Sequence, residues 1–149
     1  MNVNPFKVVI DTNVWISGLL TRTGMAALMT RHVVQQKQAV FSAQTFDELK
    51  DRLWRPKFDR YVTLEQRKKL LSDIESSGLW VEVPPAISAA AFCRDAADDM
   101  FIHKAHAAQA NWLVTGNNDL LCLHPLGSLQ ILSPCAALGM WNLPSAKAP

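Results

Sequence analysis

Cysteine is scarce in this chain, and the three present, Cys93, Cys122 and Cys135, show no C-x-x-C pairing. No zinc knuckle can be built from them, and an odd, unpaired set reads as packing residues in a reduced compartment. Long apolar runs are also missing: none approaches the roughly 20 residues needed to cross a bilayer. With no secretory leader legible at the N-terminus, the expectation is a cytoplasmic protein with no membrane partner. Neither charge sign dominates, since 15 Lys and Arg against 13 Asp and Glu leave +2. That is too little to prove a nucleic-acid partner and too mild to exclude one. The four histidines, His32, His103, His106 and His124, form no recognisable ligand motif. His103 and His106 share a helical face at i, i+3, but ordinary, partly exposed histidines are the simpler reading. No internal repeat or low-complexity tract stands out, and 149 residues suit one well-buried domain rather than two.

The most informative stretch that is present is Val8-Val9-Ile10-Asp11-Thr12-Asn13-Val14-Trp15-Ile16, where a buried apolar run drives into a carboxylate and two small polar residues. In open parallel sheets chemistry sits beyond the carboxyl ends of strands, which makes Asp11 a site candidate; the bland alternative is a helix N-cap. Further acids lie beside apolar patterns: Glu48, then Asp95, Asp98 and Asp99, then Asp119. Carboxylates against buried segments are costly unless neutralised, and no Arg or Lys obviously does this for Asp11 or Glu48. A divalent cation would. An oxygen-only ligand set favours Mg2+ or Mn2+ over zinc and points to metal-assisted phosphoryl transfer. For Asp95, Asp98 and Asp99 the competing explanation is that acids in a first helical turn complement the helix dipole.

Basic residues concentrate locally. Arg52, Arg55, Lys57 and Arg60 surround Trp54, Phe58 and Tyr61, a mixture able to hold a phosphate backbone and stack a base. The run Arg67, Lys68, Lys69 reads instead as a solvated helix face.

Strands alternate with helices along the chain, which predicts an α/β sandwich with a mainly parallel sheet. Strands are expected at Phe6 to Ile10, Ala39 to Phe41, Leu79 to Val83 (edge-like), Asn111 to Thr115 and Ser128 to Leu132. A helix comes after Gly24. Ser42 caps the next, with Glu48 near its first turn, and Pro56 closes it. Thr63 and Gln66 read as a capping box for a helix to Ser76 that Gly78 stops. Pro84 and Pro85 open an irregular connector, a helix covers Met100 to Ala110, Pro134 starts a short terminal helix, and residues 144–149 read as a flexible tail.

These motifs together resemble the PIN domain nucleases over nearly the whole chain. Val9-Ile10-Asp11-Thr12-Asn13 resembles the family's opening strand and first acid, and Glu48-Leu49 its second. Asp99 with Phe101-Ile102 is similar to the third, and Val114-Thr115-Gly116-Asn117-Asn118-Asp119-Leu120 is similar to the last motif, usually Thr-x-Asp-x-Asp. Leu53-Trp54-Arg55-Pro56-Lys57-Phe58 is similar to a stretch of the bacterial subgroup linked to toxin–antitoxin pairs. The resemblance implies a three-layer α/β/α sandwich forming one domain over residues 1–143. It implies a VapC-like, metal-dependent endoribonuclease, a toxin with a small antitoxin partner, and a dimer in some members. Catalytic acids would be Asp11, Glu48 and Asp99, holding one or two Mg2+ or Mn2+ ions with Asn117 and Asp119. Thr12, Asn13 and Thr115 would orient the carboxylates, and Arg52, Arg55 and Lys57 would bind RNA. Attack by metal-activated water would leave 5′-phosphate and 3′-hydroxyl ends.

One departure bears on activity. Asn117 stands where the family usually has a fourth Asp, keeping an oxygen ligand but losing a charge, so a second ion would bind weakly. The competing expectation is a catalytically weakened module that binds RNA or an antitoxin. A phosphatase of the haloacid dehalogenase type also opens with an Asp after a strand, but it needs a second Asp where this chain has Asn13.

Overall fold

Alternation of side chains along short, doubly buried strands decides the architecture. The computed structural model describes residues 6–21 and 23–141; the tail at 144–149 lies outside them. In β1 (Lys7–Ile10), Val8 and Ile10 enter one hydrophobic core while Val9 enters another on the opposite face. β2 (Gln38–Phe41) splits likewise, with Ala39 and Phe41 on one side and Val40 on the other. So do β4 (Trp112–Val114) and β5 (Gln130–Leu132), while β3 (Leu79–Trp80) lies at an edge. All five strands are parallel in the order β3-β2-β1-β4-β5. A sheet apolar on both faces must be covered on both, which is why it carries two helical layers.

One layer comprises α1 (Thr12–Leu20), α2 (Met25–Gln36), α3 (Ala43–Leu53), α4 (Leu64–Ser77) and α8 (Pro134–Met140). The other is built chiefly from α6 (Asp99–Ala108) and α7 (Asn118–Leu121), with the single-turn α5 (Pro85–Ser88) beside α6. The result is the three-layer α/β/α sandwich expected from the sequence. Strand order reverses direction between β1 and β4, so a crevice opens beyond their carboxyl ends.

Local chemistry sets the helix limits. Ser42 and Thr45 form a capping box at α3, and Thr63 and Gln66 form one at α4. Gly78 ends α4 in extended backbone, and what demands glycine there is space: a Cβ would lie 2.6 Å from the Ile74 carbonyl oxygen. The edge strand is shorter than expected. Val81 N–H still bonds Phe41 O, but Pro84 has no N–H to extend a ladder, and the two prolines start α5 instead of an irregular connector. A 3-10 turn at Ala96–Asp98, capped by Asp95 on the Ala97 N–H, precedes α6, so Asp99 is its first residue.

The Arg67–Lys69 run needs correction. Lys68 and Lys69 are exposed, but Arg67 is buried, on the inward stripe of α4 with Leu71 and Ile74. Its guanidinium meets Asp59 at 3.0 Å and lies 5.3 Å from the Trp54 ring centre. Among the described residues no helix is long and apolar enough to cross a membrane.

α6 ends at Gln109, which adopts φ 54°, a left-handed conformation that costs a side-chain-bearing residue energy and glycine almost none. Gln109→Gly is expected to raise stability by about 1 kcal/mol, read as a higher urea midpoint at unchanged m-value. A lower midpoint would show that contacts of the Gln109 side chain outweigh the relief.

Candidate active site

Asp11 begins where β1 ends, and it is both strand-tip acid and helix cap. Its Oδ1 accepts the Asn13 N–H at 3.1 Å, capping α1, and its Oδ2 accepts the Thr115 hydroxyl at 2.7 Å. Thr115 comes directly after β4, so this bond ties the two central strands together beyond their ends. The same hydroxyl accepts the Asn117 N–H at 3.0 Å. Asp11 is only 6% exposed, and it survives there because two donors and the N-terminus of α1 serve its charge.

Glu48 sits on the second turn of α3, one turn later than expected, and reaches the same place. Its Oε2 accepts the Thr12 hydroxyl at 3.1 Å and its Oε1 pairs with Arg52 at 3.0 Å. The expectation that no basic side chain neutralises Glu48 is therefore corrected: Arg52 lies at i+4 on the same helix face. Arg52 also donates to Asn13 Oδ1 at 2.7 Å, so Thr12, Asn13 and Arg52 stitch α1 to α3.

Asp99 is buried, and its Oδ1 accepts the backbone N–H groups of Phe92 and Cys93 at 3.2 and 2.8 Å. Asp98 accepts the Asn117 side-chain amide at 3.1 Å. Asn117 spends its own oxygen on the Asp119 N–H, capping α7, and Asp119 pairs with the exposed Arg94 at 3.1 Å. Asp95 remains an exposed cap.

The crowding of acids is visible in their neighbours. Burial pushes the Cys93 thiol up to about 12, aided by its hydrogen bond to Asp99 and by the charges of Asp99, Asp98 and Asp119. The Asp98 carboxyl is raised, first by burial and then by Asp95, Asp11 and Asp119, with the Asn117 hydrogen bond opposing. Negative potential of this kind is what a cation relieves.

One cation is already there, and reasoning from the sequence missed it. Lys104 on α6 is fully buried. Its Nζ donates to Thr45 Oγ1 at 3.0 Å and lies 4.8 and 5.5 Å from the ring centres of Phe41 and Phe101. Burial lowers its amine to about 7, while the charges of Glu48 and Asp11 act the other way. A signal existed: position 104 falls among Phe101, Ile102, Ala105 and Ala108 on the inward stripe of α6, where a lysine needs an acidic partner.

The crevice has two compartments. A cleft of about 460 Å3 is lined by Asp11, Asn13, Val14, Ser17, Ala26, Gly116, Asn117 and Pro134. A smaller one of about 210 Å3, lined by Arg52, Arg55, Lys57, Phe58 and Ile16, shares Asn13 and Ser17 with it. Arg55 and Lys57 are exposed, and Arg55 faces Asp51 at 3.7 Å. Among the described residues no three His, Cys, Asp or Glu side chains are gathered closely enough to hold one ion. The donor chemistry nevertheless fits a hard divalent cation, being carboxylate and amide oxygen with two of the acids, Asp11 and Asp99, buried.

An all-parallel sheet between two helical layers, with a buried strand-tip acid at its switch point flanked by further acids and a basic compartment, defines an α/β protein with an acid-bearing crevice. The PIN domain family profile matches residues 7–119, and the chain belongs to that family. Membership points to nuclease activity. The chain is 29% identical over 119 residues, 78% of its own length and 74% of the relative's, to the uncharacterized protein MJ1680 of Methanocaldococcus jannaschii. The crystal structure of PAE2754 from Pyrobaculum aerophilum shares the fold at TM-score 0.55 and 15% identity, over 92% of this chain and 90% of that one.

The depressed Lys104 amine makes stability depend on pH in a defined direction. Between about 7 and its ordinary 10.5 the unfolded chain holds a proton that the folded chain lacks, so stability rises with pH. Above 9 the raised Cys93 thiol acts oppositely, because the folded chain keeps that proton longer. From about pH 7 to 9 the unfolding free energy of the wild type is expected to gain on that of Lys104→Met by about 1 kcal/mol per pH unit. Parallel pH profiles from urea titrations of the two proteins would refute this.

Proposed function

We propose that the chain is a metal-dependent endoribonuclease, the toxin component of a toxin–antitoxin pair, hydrolysing RNA phosphodiester bonds. The observation that carries this reading is the buried Asp11 carboxylate beside a basic compartment with which its cleft shares Asn13 and Ser17. Asp11, Glu48 and Asp99 would hold one or two Mg2+ or Mn2+ ions, with Asn117 contributing an amide oxygen and Asp119 an outer carboxylate. Once bound, such an ion lowers the pKa of a water and offsets charge on the phosphorus centre.

The chain's own residues do the rest. Thr115 and the Asn13 N–H fix both Asp11 oxygens, so the carboxylate is aimed before substrate arrives. Thr12 does the same for one Glu48 oxygen. Arg52, Arg55 and Lys57 receive a neighbouring phosphate, which sets the register of the strand without reading bases. The toxin assignment is supported by the likeness of Leu53–Phe58 to the toxin-linked subgroup, and it brings a small antitoxin as partner and the cytoplasm as compartment. Self-association into a dimer belongs to the same reading.

A second reading, a weakened module that binds RNA or an antitoxin, is favoured by one observation. Asn117 has both ends of its amide engaged, on Asp119 and Asp98, and carries no charge to attract an ion.

With Mn2+ and a fluorescent single-stranded RNA, the wild type is expected to cleave to 5′-phosphate and 3′-hydroxyl ends. Asp11→Asn should lower the rate by about 100-fold or more while the domain stays folded, and induced expression of the wild type but not of Asp11→Asn should arrest growth. Cleavage by Asp11→Asn at the wild-type rate would sink the nuclease reading. Asn117→Asp separates the two: it sets a second carboxylate 3.1 Å from Asp98 Oδ2, so it should lower metal-free stability and tighten metal binding. Activity arising only in Asn117→Asp would favour the module.

A further inference from the structure

Lys104 stands in an unusual electrostatic position. Its ammonium is wholly out of water, yet among the described residues no carboxylate comes within 4 Å of it, and its one hydrogen-bond partner is the neutral Thr45 hydroxyl. Two aromatic rings, Phe41 and Phe101, lie close to it, their centres 4.8 and 5.5 Å from Nζ. Such a burial is costly unless fields from further off compensate, and the charges that favour the ammonium are those of Glu48 on α3 and Asp11 at the tip of β1. Thr45 is one helical turn before Glu48, so the bond that holds Nζ also keeps it under the acid site.

Coupling between charges is reciprocal. If Asp11 and Glu48 stabilise the ammonium, then the ammonium stabilises them, and any second cation drawn to the same carboxylates competes with it. Arg52 already meets Glu48 directly and Asn117 supplies no charge, so Arg52 and Lys104 together offset Asp11 and Glu48 before any metal enters, and the excess negative charge is left to Asp98, Asp99 and Asp119.

We propose that Lys104 is a resident counter-ion of Asp11 and Glu48 that draws on the carboxylates a divalent metal would use and thereby weakens metal binding to the RNA-free protein. The inference rests on the metal-dependent reading above. Its consequence is that phosphates of bound RNA restore the missing negative charge, so metal and RNA load together. Lys104 acts through the acids and touches neither substrate nor ion.

The test is calorimetric titration of Mn2+ into wild type, Lys104→Met and Asp11→Asn at about pH 6, where the Lys104 amine is charged. Methionine fills the same volume without charge. Lys104→Met is expected to bind Mn2+ about 10-fold more tightly than wild type, with Asp11→Asn losing that binding. Equal or weaker binding by Lys104→Met, with the wild type still binding, overturns the counter-ion role and leaves the metal-dependent reading standing. No Mn2+ uptake by either protein, with or without a single-stranded RNA, overturns both. A second measurement needs no substitution and decides the matter if Lys104→Met fails to fold. Titrating Mg2+ into isotope-labelled wild type should shift the Lys104 side-chain resonances with the same saturation as the metal. Resonances that stay still while Mg2+ binds overturn the proposal, because a lysine that merely fills space has no reason to sense the ion.

Discussion

The bond between the Thr115 hydroxyl and Asp11 Oδ2 joins the ends of the two central strands, and the rest of the crevice is arranged around it. Asp11 is placed where a parallel sheet has no further strand atoms to offer, so its charge must be served by the residues just beyond each strand. After β1 come the first N–H groups of α1, and after β4 comes Thr115. Because Thr115 also receives the Asn117 N–H, the turn carrying the fourth-acid position is registered against Asp11. The α3 side is registered separately, through Thr12 on Glu48 and through Arg52 on Asn13. Three elements of different origin are therefore locked by short side-chain bonds rather than by core packing alone, which is how a crevice can stay open while its lining stays fixed.

Much of this was legible in the chain. The alternation of strands with helices announced a mainly parallel sheet, and Val9-Ile10-Asp11 announced an acid at a strand tip. Ser42 and the Thr63–Gln66 pair announced helix starts, because caps are local chemistry within four residues. The features that were not legible depended on pairing across sequence or on which side of a helix a charge faces. Arg94 and Asp119 are 25 positions apart, and nothing local links them. Arg67 looked like part of a basic surface because it stands next to Lys68 and Lys69, although adjacent residues on a helix point about 100° apart. Arg52 at i+4 from Glu48 was readable from spacing and went unread. Lys104 lies on an apolar stripe, from which long cationic side chains commonly snorkel outward; here it is fully buried and the amine turns to Thr45 instead.

The acids of the crevice are each engaged by the chain itself: Glu48 by Arg52 and Thr12, Asp99 by two backbone N–H groups, Asp98 by Asn117, Asp119 by Arg94. This distinguishes the arrangement from a preformed cage of bare carboxylates. Side-chain partners such as Arg52 and Arg94 are long and partly exposed, so their pairs are weak and can be exchanged for a stronger counter-charge. The backbone donors to Asp99 and the buried hydroxyl on Asp11 are not exchangeable in the same way. Asp11 and Asp99 therefore have fixed orientations, while Glu48 and Asp119 have alternatives, and a divalent ion would recruit the second pair around the first.

The basic compartment gives that exchange a direction. Arg52 faces two ways, toward Glu48 and toward the compartment it shares with Arg55 and Lys57. A phosphate arriving there competes with Glu48 for the guanidinium, since bidentate pairing to phosphate is at least as good as pairing to a carboxylate. Each step of that competition frees a Glu48 oxygen at the moment an anion enters beside Asp11. Under the function proposed above, the site would then be most acidic when RNA is present and least acidic when it is absent, which is the order of charge that a metal-dependent hydrolysis needs if the metal is to be held only for as long as there is a phosphodiester to cut.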